Sequence, residues 1–505
     1  MYKAYITHVT NIRPAANADR LNACEVFGNT TIIDKTITED TLVLYLPSDG
    51  QISVEFGEKN NLFRRKDGAG NNVGGFIDPD KRNITAIRLR GNRSDGLVLP
   101  ISCLNYCYAH GDASIELRAG DVIDGLVNGH EICCKYIPRS NARRGHVTEG
   151  NKTRKKKVAT APLFKEHVDT EQLAYNLGAF KPGDYIEITL KMHGTSQRTG
   201  YLPVLQGYED SPWCELRNAW RKMWHDLFKK KTPFEEEHDG EPVYDYGYVS
   251  GTRRVVLENY EGGFYGDNQF REQHAKAFEG KLHKGETVYF EVVGFTDDGT
   301  PIMSNGDNKK LGDDFVKQYG ETTVFSYGCS PAGTADLYGY EKNGKLHLDE
   351  TEPKQSDLYV YRMTMTNEDG EVVEYTPDFM RYRCEQMAVK TVPVFWRGFI
   401  PEVEDRIYVD HNENGECDEG ETVYVKPIDA GEWVMKMAEQ FYDGPDPIGK
   451  THVREGVVVR IINRPKFAAY KHKNFSFKVL SNIAVANAEA SGTTEGMSED
   501  MLAEM

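Results

Sequence analysis

A strand-like run at residues 185–190 ends directly at Lys191, which is followed by His193 and Gly194. Apolar residues alternate along the run, a pattern typical of a β-strand. The strand would hold Lys191 at its end, and the glycine would let a phosphate come close to the backbone. Because lysine attacks only as the free amine, it must be desolvated or placed near other cations. The stretch therefore predicts a nucleophilic lysine, provided that partners for it occur elsewhere in the chain.

Four further strand-like stretches after the lysine contain charged or aromatic residues. They are residues 287–294, 357–364, 454–461 and 469–478. In chain order they supply Glu291, Tyr359 and Tyr361, Glu455, and then Lys471, Lys473 and Lys478. The order of these stretches supports Lys191 as a nucleophile more strongly than any single stretch does.

The ordered set resembles motifs I, III, IIIa, IV and V of the covalent nucleotidyltransferase superfamily of ligases and capping enzymes. His193 stands where DNA ligases usually have Asp, which favours the RNA-ligase branch. The chain is most similar to the nick-sealing RNA ligases with an N-terminal OB domain, a group found in bacteria and large phages. Residues 164–170 also resemble the segment that precedes the lysine in RNA ligases. DNA ligases usually have Arg at the position of Ser196. The contact that this arginine makes in DNA ligases would therefore shift to Arg198 or elsewhere.

The resemblance implies an ATP-dependent RNA ligase that joins 3′-OH and 5′-phosphate ends through lysyl-AMP and RNA-adenylate intermediates. Each step is an in-line displacement at phosphorus, for which an enzyme supplies positioning and charge neutralisation. Lys191 would be the nucleophile. Lys471 and Lys473 would contact the α-phosphate and lower the pKa of Lys191. In an alternative register, Lys478 replaces Lys473.

The remaining predicted roles concern the nucleotide and its metal. Glu291 and Glu455 would hold Mg²⁺ or Mn²⁺, or the ribose, since magnesium binds to one or two carboxylates together with phosphates. Tyr361 or Tyr359 would stack on adenine. The other predicted nucleotide contacts are His193, Gly194, and Arg253 or its neighbour Arg254 in a stretch that resembles the motif between I and III.

We expect an α+β fold with two main domains. Residues 1–138 are β-rich, and residues 12–21 and 88–97 resemble OB-type RNA-binding modules, which predicts an OB-like β-barrel. Residues 139–161 would be a basic linker. Residues 162–485 would form the nucleotidyltransferase domain, an ATP-grasp-like ligase domain of packed antiparallel sheets with flanking helices. It would carry insertions near 205–245 and 400–450, and residues 486–505 would be a disordered acidic tail.

The apolar residues of the first of these insertions recur at helical spacing, and they are Trp213, Leu216, Trp220, Met223, Trp224 and Leu227. The spacing predicts an amphipathic helix over 213–230. The ordinary interpretation of such a stripe is that it packs on the domain, and this is the arrangement we expect.

Two further motifs have simple structural interpretations. Residues 444–451 satisfy the P-loop pattern, but two prolines remove backbone N–H groups that phosphate would need, so we expect a turn. Residues 410–421 match a twelve-residue calcium loop between strands, an arrangement that could bind Ca²⁺ or form an acidic hairpin turn. The predicted ligands are Asp410, Asn412, Asn414, Glu416, Asp418 and Glu421.

The net charge of −17 gives no global sign of a nucleic-acid binder, although basic residues cluster locally. We expect a cytoplasmic monomer, in a bacterial or phage-infected cell, without membrane contact. Its partner would be RNA, as a nicked duplex or as broken ends. The rival functions are a capping-type guanylyltransferase, a DNA ligase, and a non-catalytic RNA-binding protein on a ligase scaffold. The chain ends soon after the last motif, which suggests no C-terminal OB domain and so disfavours the first two.

Overall fold

The computed structural model describes most of the chain. The described residues are 2–68, 70, 72–138, 159–168, 170–228, 234, 236–253, 255–257, 269–331, 339–342, 345–348, 354–408 and 423–491. Arg254, the predicted calcium loop at 410–421, most of the predicted linker and residues 492–505 lie outside them.

Short strands and small sheets form the N-terminal region. One sheet has the order β12-β5-β1-β13, and two three-stranded sheets have the orders β2-β3-β4 and β16-β6-β9. The strands are β1 (Ala4–Thr7), β2 (Thr10–Pro14), β3 (Leu21–Val26), β4 (Asn29–Asp34), β5 (Val43–Leu46), β6 (Gly50–Ile52), β7 (Arg64–Lys66), β8 (Asn72–Gly74), β9 (Asn83–Ile84), β10 (Ile87–Leu89), β11 (Asn92–Ser94), β12 (Leu97–Pro100), β13 (Val122–Ile123), β14 (Leu126–Val127), β15 (His130–Glu131) and β16 (Cys133–Lys135). Among the described residues these sheets do not join into a closed barrel, so the OB barrel is not confirmed.

Two larger, mainly antiparallel sheets form the second region, as the sequence predicted. The first has the order β17-β33-β32-β18-β29, and the second has the order β20-β19-β21-β26-β27 with β28 beside β26. The strands are β17 (Glu171–Gln172), β18 (Tyr185–Lys191), β19 (Thr195–Tyr208), β20 (Pro242–Gly251), β21 (Glu286–Gly294), β22 (Gly306–Asp307), β23 (Thr322–Thr323), β24 (Gly339–Lys342), β25 (Lys345–Leu348), β26 (Ser356–Thr366), β27 (Val372–Glu374), β28 (Lys390–Thr391), β29 (Val394–Phe399), β30 (Val403–Tyr408), β31 (Val423–Pro427), β32 (Gly456–Ile461) and β33 (Ala468–Lys473).

Helices flank these sheets. They are α1 (Val54–Lys59), α2 (Pro212–Leu227), α3 (Gln269–Lys276), α4 (Asp313–Tyr319), α5 (Pro377–Met387), α6 (Ala430–Glu439) and α7 (Phe475–Ser491), with 3₁₀ helices at Ile101–Cys107, Ala113–Ile115, Leu173–Tyr175, Leu177–Ala179 and Asn308–Leu311. Within the described part of the chain, no helix is both long and apolar enough to cross a membrane. Helix α7 extends to Ser491, into the segment predicted as a tail.

A buried cluster lies where the end of β18 meets the second sheet. It includes Leu190 and Met192 from the first side, and Phe290 and Val360 from β21 and β26. Burying such side chains stabilises the fold by about 1.5–3 kcal/mol each. The cluster therefore holds the loop around Lys191 against the second sheet.

The N-terminal region packs directly on the second region. Tyr175 stacks on Tyr5 with ring centroids 4.6 Å apart, and Lys478 of α7 donates to the buried carboxylate of Asp95. The Lys478–Asp95 contact thereby ties the start of α7 to the N-terminal region.

Residues 444–451 form a turn between α6 and β32, as predicted. The buried Asp446 carboxylate accepts hydrogen bonds from the backbone N–H groups of Gly449, at 2.5 Å, and Lys450, at 3.2 Å. These amides are therefore occupied within the turn rather than arranged for a phosphate.

The apolar face of α2 does not pack on any part of the domain that the structure describes, so that expectation is wrong. The helix forms over Pro212–Leu227, with Pro212 in its first turn and Ser211 as its N-cap, which is a favoured start. Its buried side chains are Cys214 and Asn218, and its tryptophans are exposed.

Candidate active site

Strand register brings three lysines to one face of the first sheet. Lys191 pairs with Gly456, and Gly456 pairs in turn with Lys473. Directly opposite residues project to the same face, and so does Lys471, two residues along β33. Gly456 has a φ of +148°, and a Cβ there would lie 2.1 Å from the His472 carbonyl oxygen. Only glycine fits at the centre of this row.

Two of these lysines, Lys191 and Lys473, converge on the carboxylate of Glu455, which is only 3% exposed. Lys191 Nζ lies 2.7 Å from Glu455 Oε1, and Lys473 Nζ lies 3.5 Å from the same oxygen. Burial alone raises the pKa of Glu455, but the charges of Lys191 and Lys473 outweigh it and hold that pKa well below its usual range. The carboxylate is therefore ionised, and it anchors Lys191 at the end of β18.

His193 lies against the same carboxylate, but its ring is mostly packed in an aromatic setting. Its Nδ1 is 3.5 Å from Glu455 Oε2, and its ring meets those of Phe325 and Phe477 edge-on with centroids 4.7 Å apart. Its backbone N–H donates to the Tyr327 hydroxyl at 2.7 Å. Burial lowers the pKa of His193, although Glu455 opposes this. The ring is therefore neutral and packs beside the carboxylate of Glu455.

The pKa of Lys471 is lowered by its surroundings. Burial, followed by the charges of Lys473, Lys191 and Arg253, lowers its pKa to about 7. Bound phosphate would relieve this repulsion, because an anion favours the ammonium form. The site is thus arranged to receive negative charge.

Lys471→Met should stabilise the folded protein at neutral pH. The unfolded lysine has a pKa near 10.5 and the folded one about 7, so between these values the unfolded chain binds more protons. Wild-type stability should therefore rise with pH across that window, while the variant should be more stable at pH 7 by about 1 kcal/mol or more. Urea denaturation at several pH values measures this, with exposed Lys317→Met as the control. A difference that did not shrink toward pH 10 would contradict the assignment.

The second sheet supplies the opposite wall. Glu291 lies across from Ser196 in the β19–β21 register, and its Oε1 accepts the Gly194 N–H at 3.2 Å. A Cβ at Gly194 would lie 2.3 Å from the Val292 carbonyl oxygen, so the glycine permits this close approach of the two sheets.

Tyr361, and not Tyr359, faces the site. The Tyr361 hydroxyl lies 3.0 Å from Ser196 Oγ, whereas Tyr359 is buried in the apolar core. The pairing of β21 with β26 slips between Tyr289 and Phe290, which leaves Tyr361 as an extra residue on β26. Such a bulge re-aims a side chain, which explains why two tyrosines in the same strand have different surroundings.

A cavity of about 280 Å³ lies between the two walls. All the described residues that were predicted for the site line it: Lys191, His193, Gly194, Arg253, Glu291, Tyr361, Glu455, Lys471 and Lys473. The calcium-loop residues lie outside the described chain, so that prediction stays open.

The lining of the cavity also includes residues for which no role was predicted from the sequence. Among them are Glu187, His167, Arg381 and Arg460. Glu187 lies four residues before Lys191, and the period-2 alternation of the strand could have placed it on the same face. Arg381 comes from helix α5, and no local pattern in the sequence connects that helix with the site.

Two predicted alternatives are placed elsewhere. Arg198 is buried with its guanidinium 4.2 Å from the centre of the Phe164 ring and donates to the Lys165 carbonyl, so it does not line the cavity. Lys478 is bound to Asp95. Lys473 therefore has the position beside Lys191 that the preferred register predicts.

Lys473→Met should slow nucleotide transfer, whereas Lys478→Met should lower stability. Removing Lys473 takes a cation from the cavity and should slow nucleotide transfer to Lys191 by about 100-fold. Removing Lys478 leaves buried Asp95 without its cation, which should lower the free energy of unfolding by about 1–3 kcal/mol with little effect on transfer. Labelling with radioactive ATP and urea denaturation measure the two effects. The register would be wrong if the two variants exchanged phenotypes.

The carboxylates suit a magnesium or manganese ion. Glu455 Oε2 is buried and accepts no hydrogen bond within the described chain, since its 3.5 Å contact with His193 is too long for a good one. An acceptor without a donor is a natural metal ligand, and Glu291 offers a second carboxylate at the same cavity.

Comparison with known proteins gives structural likenesses at low identity. A Naegleria gruberi RNA ligase mutant solved with AMP and Mn has a TM-score of 0.47 at 14% identity, covering 94% of this chain and 98% of that chain. The Naegleria gruberi RNA ligase solved with PPi has a TM-score of 0.47 at 15% identity, covering 94% and 97%. No protein-family model matches the sequence, and no curated protein matches it as a relative.

Proposed function

We propose that the protein is an ATP-dependent RNA ligase that seals 3′-OH and 5′-phosphate ends through lysyl-AMP and RNA-adenylate intermediates. The observation that carries the proposal is the pairing of Lys191 and Lys473 with buried Glu455 in one cavity, which Lys471 also lines. A row of cations around an anchored lysine is what repeated displacement at phosphorus requires.

Lys191 is the nucleophile of the first step. Its unprotonated Nζ attacks the α-phosphorus of ATP, a P–N bond forms, the bond to pyrophosphate breaks, and the amine proton leaves to solvent. Glu455 directs Nζ, which keeps the reacting atoms aligned. Lys471 and Lys473 neutralise the charge that develops on the phosphate oxygens.

The second and third steps use the same charge-neutralising groups. An oxygen of the RNA 5′-phosphate attacks the lysyl phosphorus, the P–N bond breaks, and Lys191 leaves as an amine that takes up a proton. The RNA 3′-OH then attacks the 5′-phosphorus, AMP departs, and the phosphodiester forms. Lys471, whose pKa is lowered to about 7 in the protein alone, is driven to its ammonium form when a phosphate lies beside it.

The other cavity residues bind the nucleotide and its metal. Tyr361 offers its ring for stacking on adenine, and Arg253 adds a cation at the cavity wall. Glu455 and Glu291 would hold Mg²⁺ or Mn²⁺. When bound, the ion would neutralise phosphate charge.

RNA as the substrate rests on the motif resemblance, with His193 in place of the aspartate of DNA ligases. The physiological substrate proposed is a nicked duplex or a pair of broken ends. The N-terminal region, which contacts helix α7 through Asp95, is proposed to bind this RNA.

A sealing assay tests the proposal. Duplexes with a 5′-phosphate nick are offered with ATP and Mg²⁺, in all-RNA, RNA–DNA and all-DNA forms. We expect RNA-adenylate followed by joined RNA, and loss of both in Lys191→Ala. GTP-dependent transfer to a diphosphate end would instead indicate a capping enzyme, and sealing of all-DNA nicks alone would indicate a DNA ligase. RNA binding without adduct or product would identify a non-catalytic binder.

A further inference from the structure

Helix α2 is folded with its polar face inward and its apolar face outward. Cys214 and Asn218 are its buried residues, and both donate to the Glu237 carbonyl oxygen, at 2.9 and 2.7 Å. Arg217 and Arg221 also pair with the Glu237 carboxylate, at 3.7 and 3.3 Å. A helix on the surface of a monomer normally buries its apolar stripe instead.

The outward stripe has the spacing of a coiled-coil seam. Trp213, Leu216, Trp220, Met223 and Leu227 follow one another at intervals of three, four, three and four residues. These are the a and d positions of a heptad repeat, whose side chains insert between those of a facing helix. Trp213 is 80% exposed and Leu227 is 66% exposed. The seam is complete in sequence but faces no described part of its own chain.

The stripe is large enough for a specific interface. Trp220 (58% exposed), Trp224 and Phe228 extend it beside Trp213. Because a large aromatic side chain buries about 150–250 Å², these four present on the order of 500 Å². The aliphatic seam residues add to this area. The whole patch then approaches about 800 Å², the area that each partner buries in a standard interface. Monomeric proteins rarely expose so much contiguous apolar surface.

Charge disfavours nucleic acid as the occupant. Residues 209–241, which contain α2, hold nine Asp or Glu against six Lys or Arg. Arg217 and Arg221 are already paired with Glu237, so they offer little to a phosphate backbone. Three of the five seam positions hold Leu or Met, and these aliphatic side chains pack better against another helix than against nucleic-acid bases.

We propose that α2 is the dimerisation helix of this protein and that its occupant is α2 of a second copy. A single apolar stripe is self-complementary under a two-fold axis, so one surface supplies both halves of the interface. The helix lies at the outer end of the β19–β20 hairpin, where Tyr208 pairs with Pro242. The inner end of β19, at Thr195, lines the cavity. The strand between them spans about 40 Å, so pairing leaves the cavity open. The proposal replaces the expectation of a monomer and is independent of the chemistry at Lys191.

Sedimentation equilibrium of the full-length protein tests this proposal. Wild type should show twice the chain mass, and Leu216→Glu/Leu227→Glu should show the mass of one chain. Lys222→Glu, an exposed change on the same helix but off the seam, should remain a dimer. The double variant keeps every tryptophan and every residue of the cavity, and a far-UV circular dichroism spectrum like that of wild type together with a cooperative urea transition confirms that it is folded.

Tryptophan fluorescence gives a second readout, because three of the five tryptophans of the chain lie on this helix. Dilution of wild type should shift the emission to longer wavelength as the seam becomes hydrated, and the double variant should show the shifted emission at every concentration. A wild-type protein that stays monomeric at all soluble concentrations would overturn the proposal, as would a double variant that keeps the dimer mass. A monomer whose emission changes only when single-stranded RNA is added would assign the stripe to nucleic acid instead.

Discussion

Glu455→Gln should reduce the rate of lysyl-AMP formation by on the order of 10²–10³-fold. The substitution keeps the shape of the side chain but removes the charge that holds Lys191 Nζ at 2.7 Å. Without that charge, the ammonium groups of Lys191 and Lys473 repel each other in a buried site, and Lys191 loses its alignment with the α-phosphorus. The measurement is transfer of label from ATP to the protein in single-turnover conditions.

Two further variants make this result interpretable. Glu432→Gln changes an exposed carboxylate on α6 and should leave the rate unchanged. Glu455→Asp keeps the charge but withdraws it by one methylene, so its rate should lie between those of wild type and Glu455→Gln. If Glu455→Gln labelled as fast as wild type while remaining folded, Glu455 would have no role in positioning Lys191.

Arg383→Met should lower the free energy of unfolding by about 3–5 kcal/mol. Glu286, at the start of β21, is fully buried, and Arg383 of α5 donates to both of its carboxylate oxygens, at 2.9 and 2.8 Å. Tyr375 donates to the same carboxylate at 2.9 Å. Removing the guanidinium leaves the buried Glu286 carboxylate without its cation. The free-energy cost of this unpaired charge is larger than the net contribution of the intact pair to stability. Urea denaturation measures the change.

The exposed pair of Lys309 and Glu321 is the matched control. Its atoms lie 2.8 Å apart, yet both side chains are largely exposed, so Lys309→Met should leave the free energy of unfolding nearly unchanged. Adding Glu286→Gln to Arg383→Met should recover part of the loss by removing the unpaired charge. Equal effects of the buried and exposed substitutions would show that burial of Glu286 does not matter.

The sequence was informative about features that depend on a single strand and on the residue at its end. The alternation before Lys191, the glycine after it and the Glu-Gly step at Glu455 each predict a strand end, and sheet pairing brings these ends together. The order of the motifs therefore predicted both the two-sheet architecture and the cavity residues.

The sequence was uninformative where a long-range contact decides between close alternatives. Tyr359 and Tyr361 are both aromatic strand residues, and only a bulge opposite Tyr289 and Phe290 separates their surroundings. The choice between Lys473 and Lys478 depends on Asp95, which lies in the N-terminal region. The outward stripe of α2 has the same spacing that a packed stripe would have, so periodicity alone gave the wrong face.

The most direct test of the account is to locate the covalent adduct. The protein is incubated with ATP or GTP and Mg²⁺ without RNA, digested under conditions that preserve P–N bonds, and analysed by peptide mass spectrometry. We expect AMP on Lys191 from ATP, no GMP from GTP, and no adduct in Lys191→Ala. An adduct on another lysine, or none on wild-type protein with any divalent metal, would contradict this expectation.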